Sequence, residues 1–222
     1  MRYRLAALVA VAGIATGAAL AVATPVTAQP GAVVTTSHPL FTWTLPANEQ
    51  SDALYIADTP HTTPEGKFYD ENVVDLGIFT NNERQWSPPS PLYAGAYWWL
   101  VWSHDANTFQ SYYSAPTAFT IPAALTLLPV KTHRYLNLHW LDVSVRWRAN
   151  VHGLTAKVRL LRRGRTLWAR SESEDNLIGS PGSTTFTWYR PRRIKQGTRL
   201  TLRVSLLASG AKKTRAFVVR AP

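Results

Sequence analysis

Over residues 141–149 apolar and polar positions alternate strictly: Leu141, Val143, Val145, Trp147 and Ala149 are separated by Asp142, Ser144, Arg146 and Arg148. Leu200, Leu202, Val204 and Leu206 alternate with Thr201, Arg203 and Ser205 in the same way. A period of two sends successive side chains to opposite faces of an extended chain, so each run predicts a half-buried β-strand. Arg163-Gly164 and Ser209-Gly210 read as turns, and Ser180-Pro181-Gly182-Ser183 as a loop. Past the first residues of the chain, no long stretch carries the apolar spacing of a helix. Several short strands bounded by turn residues predict an all-β sandwich.

One stretch breaks the alternation. Residues 97–102 read YWWLVW, apolar on both faces. Two registers are open. One points Tyr97, Trp99 and Val101 inward and leaves Trp98, Leu100 and Trp102 outside. The other, set by aligning Gly95 with Gly197, places Trp98, Leu100 and Trp102 opposite the inward Leu200, Leu202 and Val204. In either register one outer face carries large apolar side chains, the patch extends onto the next strand if Leu54 and Ile56 face the same way, and such a patch needs a cover. The second half of the chain or a long loop such as residues 61–80 would supply one. A protein partner or a second copy is the next candidate, and a sugar stacked on Trp98 and Trp102 the third.

The chain also repeats itself. WSPPSPLYAG, with Trp86, Pro89, Leu92 and Gly95, is matched by WYRPRRIKQG, with Trp188, Pro191, Ile194 and Gly197. Upstream, Trp43 corresponds to Trp147. Downstream, Ala118-Phe119-Thr120-Ile121 corresponds to Ala216-Phe217-Val218-Val219. Landmarks in the same order at near-equal spacing predict two tandem copies of one fold. The segment LYAGAYWWLVWSHDANTFQSYYSAPTAFTIP resembles the last two strands of bacterial fibronectin type III-like domains, where a Leu-x-x-Gly-x-Tyr corner leads into an aromatic strand. That resemblance covers residues 36–122 and reaches residues 123–222 through the repeat, where Leu200 replaces the tyrosine and immunoglobulin-like is the broader label. It implies two tandem β-sandwiches serving as a spacer, adhesion or binding module.

The N-terminus has the order of a secretory signal: Arg2 and Arg4, an Ala/Val/Leu-rich run, then small residues before Ala28. Cleavage is expected after Ala28, with Ala23 as the alternative, and an uncleaved membrane anchor as the other reading of the same run. The expected order is therefore a signal peptide over 1–28, a linker over 29–35, an acidic aromatic domain over 36–122 and a basic domain over 123–222. The chain has no cysteine, so an exported form has neither disulfides nor a thiolate metal site. A secreted or bacterial envelope protein is the expectation.

Charge divides sharply at Ile121-Pro122-Ala123-Ala124. Residues 31–122 carry two basic and nine acidic side chains, a net of −7, whereas residues 123–222 carry twenty basic and four acidic ones, a net of +16. Arg146 with Arg148, Lys157 with Arg159, and Arg203 fall at alternate strand positions, and merge into one basic face if their strands are neighbours. Arg162, Arg163 and Arg165, then Arg190, Arg192 and Arg193, extend the charge through loops. Such a density of like charge repels itself and points to an anionic partner: teichoic acid, lipopolysaccharide or a glycosaminoglycan-like polymer. A solvated surface, or docking of the acidic half, is the competing reading. No nucleic-acid motif is present.

Catalytic signatures are missing. There is no Gly-x-Ser-x-Gly elbow, no His-Glu-x-x-His and no phosphate-binding glycine loop. Ser103-His104-Asp105 has the residue types of a triad, but strand neighbours point to opposite faces. His133 and His139 lack metal-ligand spacing, and Glu65, Asp70, Glu71 and Asp75 lack that of a calcium loop. Neither a metal nor a cofactor is expected, and a noncatalytic binding or adhesion protein is favoured over a carbohydrate-binding module and a secreted hydrolase.

Overall fold

The protein is seen here as a computed structural model that describes residues 24–25, 32–80, 82–178 and 180–222. Among the described residues nine strands occupy the first half: β1 Thr24–Pro25, β2 Ala32–Val33, β3 Phe41–Thr44, β4 Glu49–Ala57, β5 Val73–Ile78, β6 Gln85–Trp86, β7 Gly95–Asp105, β8 Ser111–Tyr113 and β9 Thr117–Ile121. Eight occupy the second: β10 Leu125–Leu127, β11 Lys131–Tyr135, β12 Trp140–Ala149, β13 Gly153–Arg162, β14 Arg165–Asp175, β15 Gly182–Tyr189, β16 Arg199–Ala208 and β17 Ala211–Arg220. A single 3-10 turn, Asp70–Asn72, is the one helical element among the described residues. No helix among them is long and apolar enough to cross a membrane.

Each half is a sandwich of two sheets, antiparallel apart from the parallel β2–β9 pair, the all-β tandem architecture expected from the alternation and the repeat. In the first half the sheet β1-β3-β6 packs on β2-β9-β7-β4-β5, with β8 also paired to β7. In the second, β12 carries β10, β11 and β15 and packs on β14-β13-β16-β17. The repeat maps strand onto strand: Phe41 pairs with Trp86 across β3 and β6, and Leu141 with Trp188 across β12 and β15. Phe119 and Phe217 lie on the closing strands β9 and β17. Of the signal peptide expected over residues 1–28, only Thr24 and Pro25 lie within the described residues. They pair with Thr44 and Trp43, so cleavage after Ala23 leaves this pairing in place and cleavage after Ala28 removes it.

Alternation decides burial. Leu141, Val143, Val145 and Trp147 from one sheet meet Leu154, Ala156, Val158, Leu200, Leu202 and Val204 from the other in a single core. Arg163 and Gly164 both have left-handed backbone, as the tight two-residue hairpin between β13 and β14 requires. β15 starts at Gly182, inside the loop expected at 180–183, because Gly182 pairs directly with Trp147.

In the first half Tyr97, Trp99 and Val101 enter the main core beside Phe41, Leu54, Ile56 and Phe119. The glycine alignment is therefore one residue out of register: Leu200 points inward and Trp98 does not. Leu54 and Ile56 also face inward, opposite to the extension of the apolar patch, because Tyr55 and Ala53 take the outer positions of β4. The Tyr97 hydroxyl donates to the Tyr93 carbonyl at 3.0 Å, closing the corner expected from the fibronectin-like resemblance. Burial, and then the charge of Asp58, push the Tyr97 phenol up, so it stays a donor.

The halves meet at this corner. Ala94 N–H donates to the Asn150 carbonyl at 2.6 Å, and Tyr93 lies on His152 with ring centroids 3.4 Å apart. The Tyr93 hydroxyl donates to the Asn176 carbonyl at 3.1 Å, while Asn150 Nδ2 donates to the Pro122 carbonyl at 3.1 Å.

A Cβ added at Gly182 would overlap the Trp147 indole, whereas one at Gly153 meets nothing within 4 Å. Overpacking a filled core costs about 1–3 kcal/mol. Gly182→Ala is expected to lower stability by that amount in urea unfolding, with Gly153→Ala close to wild type.

Candidate functional site

The basic residues are sorted by the path of the chain. β12 and β13 are joined by a short connection that crosses from one sheet to the other. Arg146 and Arg148 on β12 therefore project from one face of the sandwich, and Lys157 and Arg159 on β13 from the opposite one. The single basic face expected from adjacent stripes does not form: Arg146 and Arg148 are excluded from it by the sheet they belong to. Arg162, Arg163 and Arg165 lie at the β13–β14 hairpin. Arg190 donates to the Ile194 carbonyl and to His139, bracing the β15–β16 connection in which Arg192 and Arg193 are exposed.

What the fold does assemble is a set of rows across β13, β16 and β17. Arg159 stands directly opposite Arg203. Lys157 stands opposite Ser205, which in turn faces Thr214, and Lys212 faces Leu207 in the next row. At the other end Arg199 stands opposite Arg220. Sequence reasoning missed Arg199 and Arg220 as members because their inclusion depends on the β16–β17 register. Residues two apart on a strand are about 7 Å apart and neighbouring strands about 5 Å, so the cations form a tight grid. A groove of about 290 Å³ runs between Lys157, Arg159, Arg203, Ser205, Lys212 and Thr214. A second, of about 250 Å³, lies between Lys157, Arg159, Arg170 and Ser171.

Among the described residues no carboxylate is ion-paired with this charge; Asp175, opposite Gly153, shares the outer face but stands two rows beyond Lys157. The ion pairs among the described residues are Lys67 with Asp70 and His104 with Asp52, both in the first half. Glu172 and Glu174 sit opposite the inward Ala156 and Leu154, and Glu172 accepts from the Thr184 hydroxyl. Like charges directly opposite one another destabilise a sheet. The Thr214 hydroxyl donates to Ser205 Oγ at 3.0 Å, which leaves the guanidinium forks and the Ser205 hydroxyl as the donors directed at the groove.

The other candidate, the apolar patch of Trp98, Leu100 and Trp102, is not an open surface. Leu100 is fully buried, and Phe68, also fully buried, packs over it from the long β4–β5 connection together with Tyr55, Val73 and Tyr113. Trp98 and Trp102 are half-buried, and Trp102 stacks on Tyr113 at 6.2 Å. The expected loop covering is the one observed. Phe68 is anchored by a bridge to Thr62, and Thr63 N–H donates to the Lys67 carbonyl at 2.7 Å.

The titratable groups of the triad-like stretch and several of the acidic loop have structural partners. Ser103 Oγ donates to buried Glu49, while His104 points the other way to Asp52 at 2.8 Å. Asp105 accepts from the Thr108 and Asn107 N–H groups, which hold its carboxyl below the usual range. Asp70 is paired with Lys67, and Asp75 accepts from the Leu76 N–H. His133 lies on β11 and His139 in the following turn. No cluster of three potential metal ligands exists among the described residues.

No family profile and no curated protein sequence matches the chain. Among solved structures, the chicken interferon gamma receptor alpha chain superposes with a TM-score of 0.37 at 9% identity, covering 89% of this chain and 98% of the receptor chain. Dimeric latent PorU from Porphyromonas gingivalis gives 0.32 at 12% identity; the match covers 90% of this chain and 20% of PorU. The fold assignment rests on the strand pairing itself.

Because Arg159 and Arg203 face each other with no carboxylate between them, Arg203→Gln is expected to raise the urea midpoint, with the gain shrinking at high salt. A mere packing role would give the opposite sign.

Proposed function

We propose that this is a noncatalytic, secreted or envelope-associated binding protein whose second sandwich holds an anionic polymer against the outer face of β13, β16 and β17. The observation that carries this reading is the pair of directly opposed arginines, Arg159 and Arg203, flanked by Lys157 and Lys212 with no compensating carboxylate. A fold retains an arrangement that costs it stability when something outside the fold uses it. The chemistry suits phosphate- or sulfate-bearing chains, since arginine binds both through paired hydrogen bonds. The secretory leader and the absence of cysteine fit an extracellular setting, in which teichoic acid, lipopolysaccharide and sulfated glycans are the available polymers. The first sandwich then serves as a spacer joined through the Tyr93 corner.

Binding of the protein to purified teichoic acid across a salt series tests this. Attraction through counterion release gives a linear fall of log affinity with log salt. On anionic lipid surfaces each basic side chain contributes about 1 kcal/mol, so the triple variant Lys157→Gln/Arg159→Gln/Arg203→Gln should bind on the order of 100-fold more weakly. Arg146→Gln/Arg148→Gln, on the opposite sheet, should lose much less. Equal losses from the two sets would mean that net charge alone, and not this face, does the binding.

A further inference from the structure

The opposite sheet of the second sandwich carries a different kind of surface. Tyr135 pairs with Trp140, and Trp140 with Tyr189, so three aromatic residues from β11, β12 and β15 stand in one row. Adjacent rings lie 5.1 and 5.5 Å apart and cross at 67° and 89°. Tyr189 is 65% exposed. The next row along the same face is polar: His133, Asp142 and Thr187, with the Thr187 hydroxyl donating to Asp142 at 2.7 Å. Beyond it Ser144 and Thr185 share a hydrogen bond at 3.1 Å. A cavity of about 470 Å³ opens at the β11–β12 hairpin, lined by Tyr135, Leu136, Asn137 and Leu138. The Trp140 indole Nε1 is buried and has no acceptor.

We infer that this row is a carbohydrate site, in which Tyr135, Trp140 and Tyr189 cradle one pyranose ring of a glycan and the His133–Asp142–Thr187 row bonds its hydroxyls. Crossed aromatic rings form an angled pocket, and the C–H face of a pyranose is an apolar surface of matching size. Sites for small ligands combine such apolar walls with a few convergent polar groups. The Trp140 indole Nε1 is out of reach of a ligand, so Trp140 contributes its ring and not its N–H. Aromatic cages also take quaternary ammonium groups. The net charge of +16 on this half opposes a cation there. A protein partner packed on the aromatic row would strand the hydroxyls and carboxylate of the neighbouring one.

The site shares no residue with the anionic-polymer face and lies on the other sheet, so either reading can fail while the other stands. The test is titration of the protein with the β-1,4-linked hexamers of N-acetylglucosamine and of glucose, followed by the indole N–H resonance of Trp140, assigned with Trp140→Phe. The expected result is a saturable shift with at least one hexamer, unchanged at salt concentrations that abolish polyanion binding. Tyr189→Ala and Tyr135→Ala should each weaken it about ten-fold while leaving the circular dichroism spectrum intact. The inference is overturned if neither hexamer moves the resonance at millimolar concentration, or if the tyrosine variants bind as wild type. A shift produced instead by tetramethylammonium, or by self-association on concentrating the protein, overturns it as well.

Discussion

Asn176 holds the second sandwich together at the point where its chain changes sheet. Its side-chain oxygen accepts from the Trp147 indole at 3.1 Å, and its amide nitrogen donates to the Ala149 and Val151 carbonyls at 2.8 and 3.2 Å. Its own N–H donates to the His152 carbonyl and its own carbonyl accepts from Tyr93. At 4% exposure, none of these groups could be left unpaired without a desolvation cost. The residues so fixed are the last of β12, Ala149, and the connection 150–152 between β12 and β13. The same connection offers Asn150 and His152 to the first sandwich, so one buried amide sets both the crossing between sheets and the seat of the neighbouring half.

That crossing decides where charge can accumulate. Strands adjacent in sequence here belong to opposite sheets, and Arg146 and Arg148 are separated from Lys157 and Arg159 by the thickness of the core, about 10 Å between sheets. The positive charge of the second half is thus spread over two faces with different chemistry. On one, arginines oppose each other across β13 and β16. On the other, Arg146 and Arg148 share β12 with Trp140 and Asp142, and its far end is aromatic.

Alternation along β12 and β16 was legible because period two is a local property and both strands are buried on one face only. The repeat was legible because Trp43, Trp86, Trp147 and Trp188 kept their spacing. Which sheet a strand joins is not local, and the merged arginine face failed for that reason. The lid over Leu100 was foreseen as a loop, but Phe68 itself lies in the polar stretch HTTPEGKF and gives no period to detect. Tyr135, Trp140 and Tyr189 come from three strands and meet only through register, so no spacing in the sequence could have announced them.

The two sandwiches differ most where they correspond most closely, on the outer face of the sheet that holds β4 and β7 in one and β13 and β16 in the other. β4 and β5 are joined by residues 58–72, long enough to fold Phe68 back over the sheet; β13 and β14 are joined by the two-residue turn Arg163-Gly164. A covered face can be apolar, and it is, with Tyr55, Trp98, Leu100 and Trp102 beneath the lid. A bare face has to be hydrophilic, and loop length alone explains why Lys157, Arg159 and Arg203 are polar. It does not explain why they have one sign. Serines, threonines or alternating charges would keep the sheet soluble without setting Arg159 against Arg203, so the excess of one charge is the part of this surface that solvent does not account for.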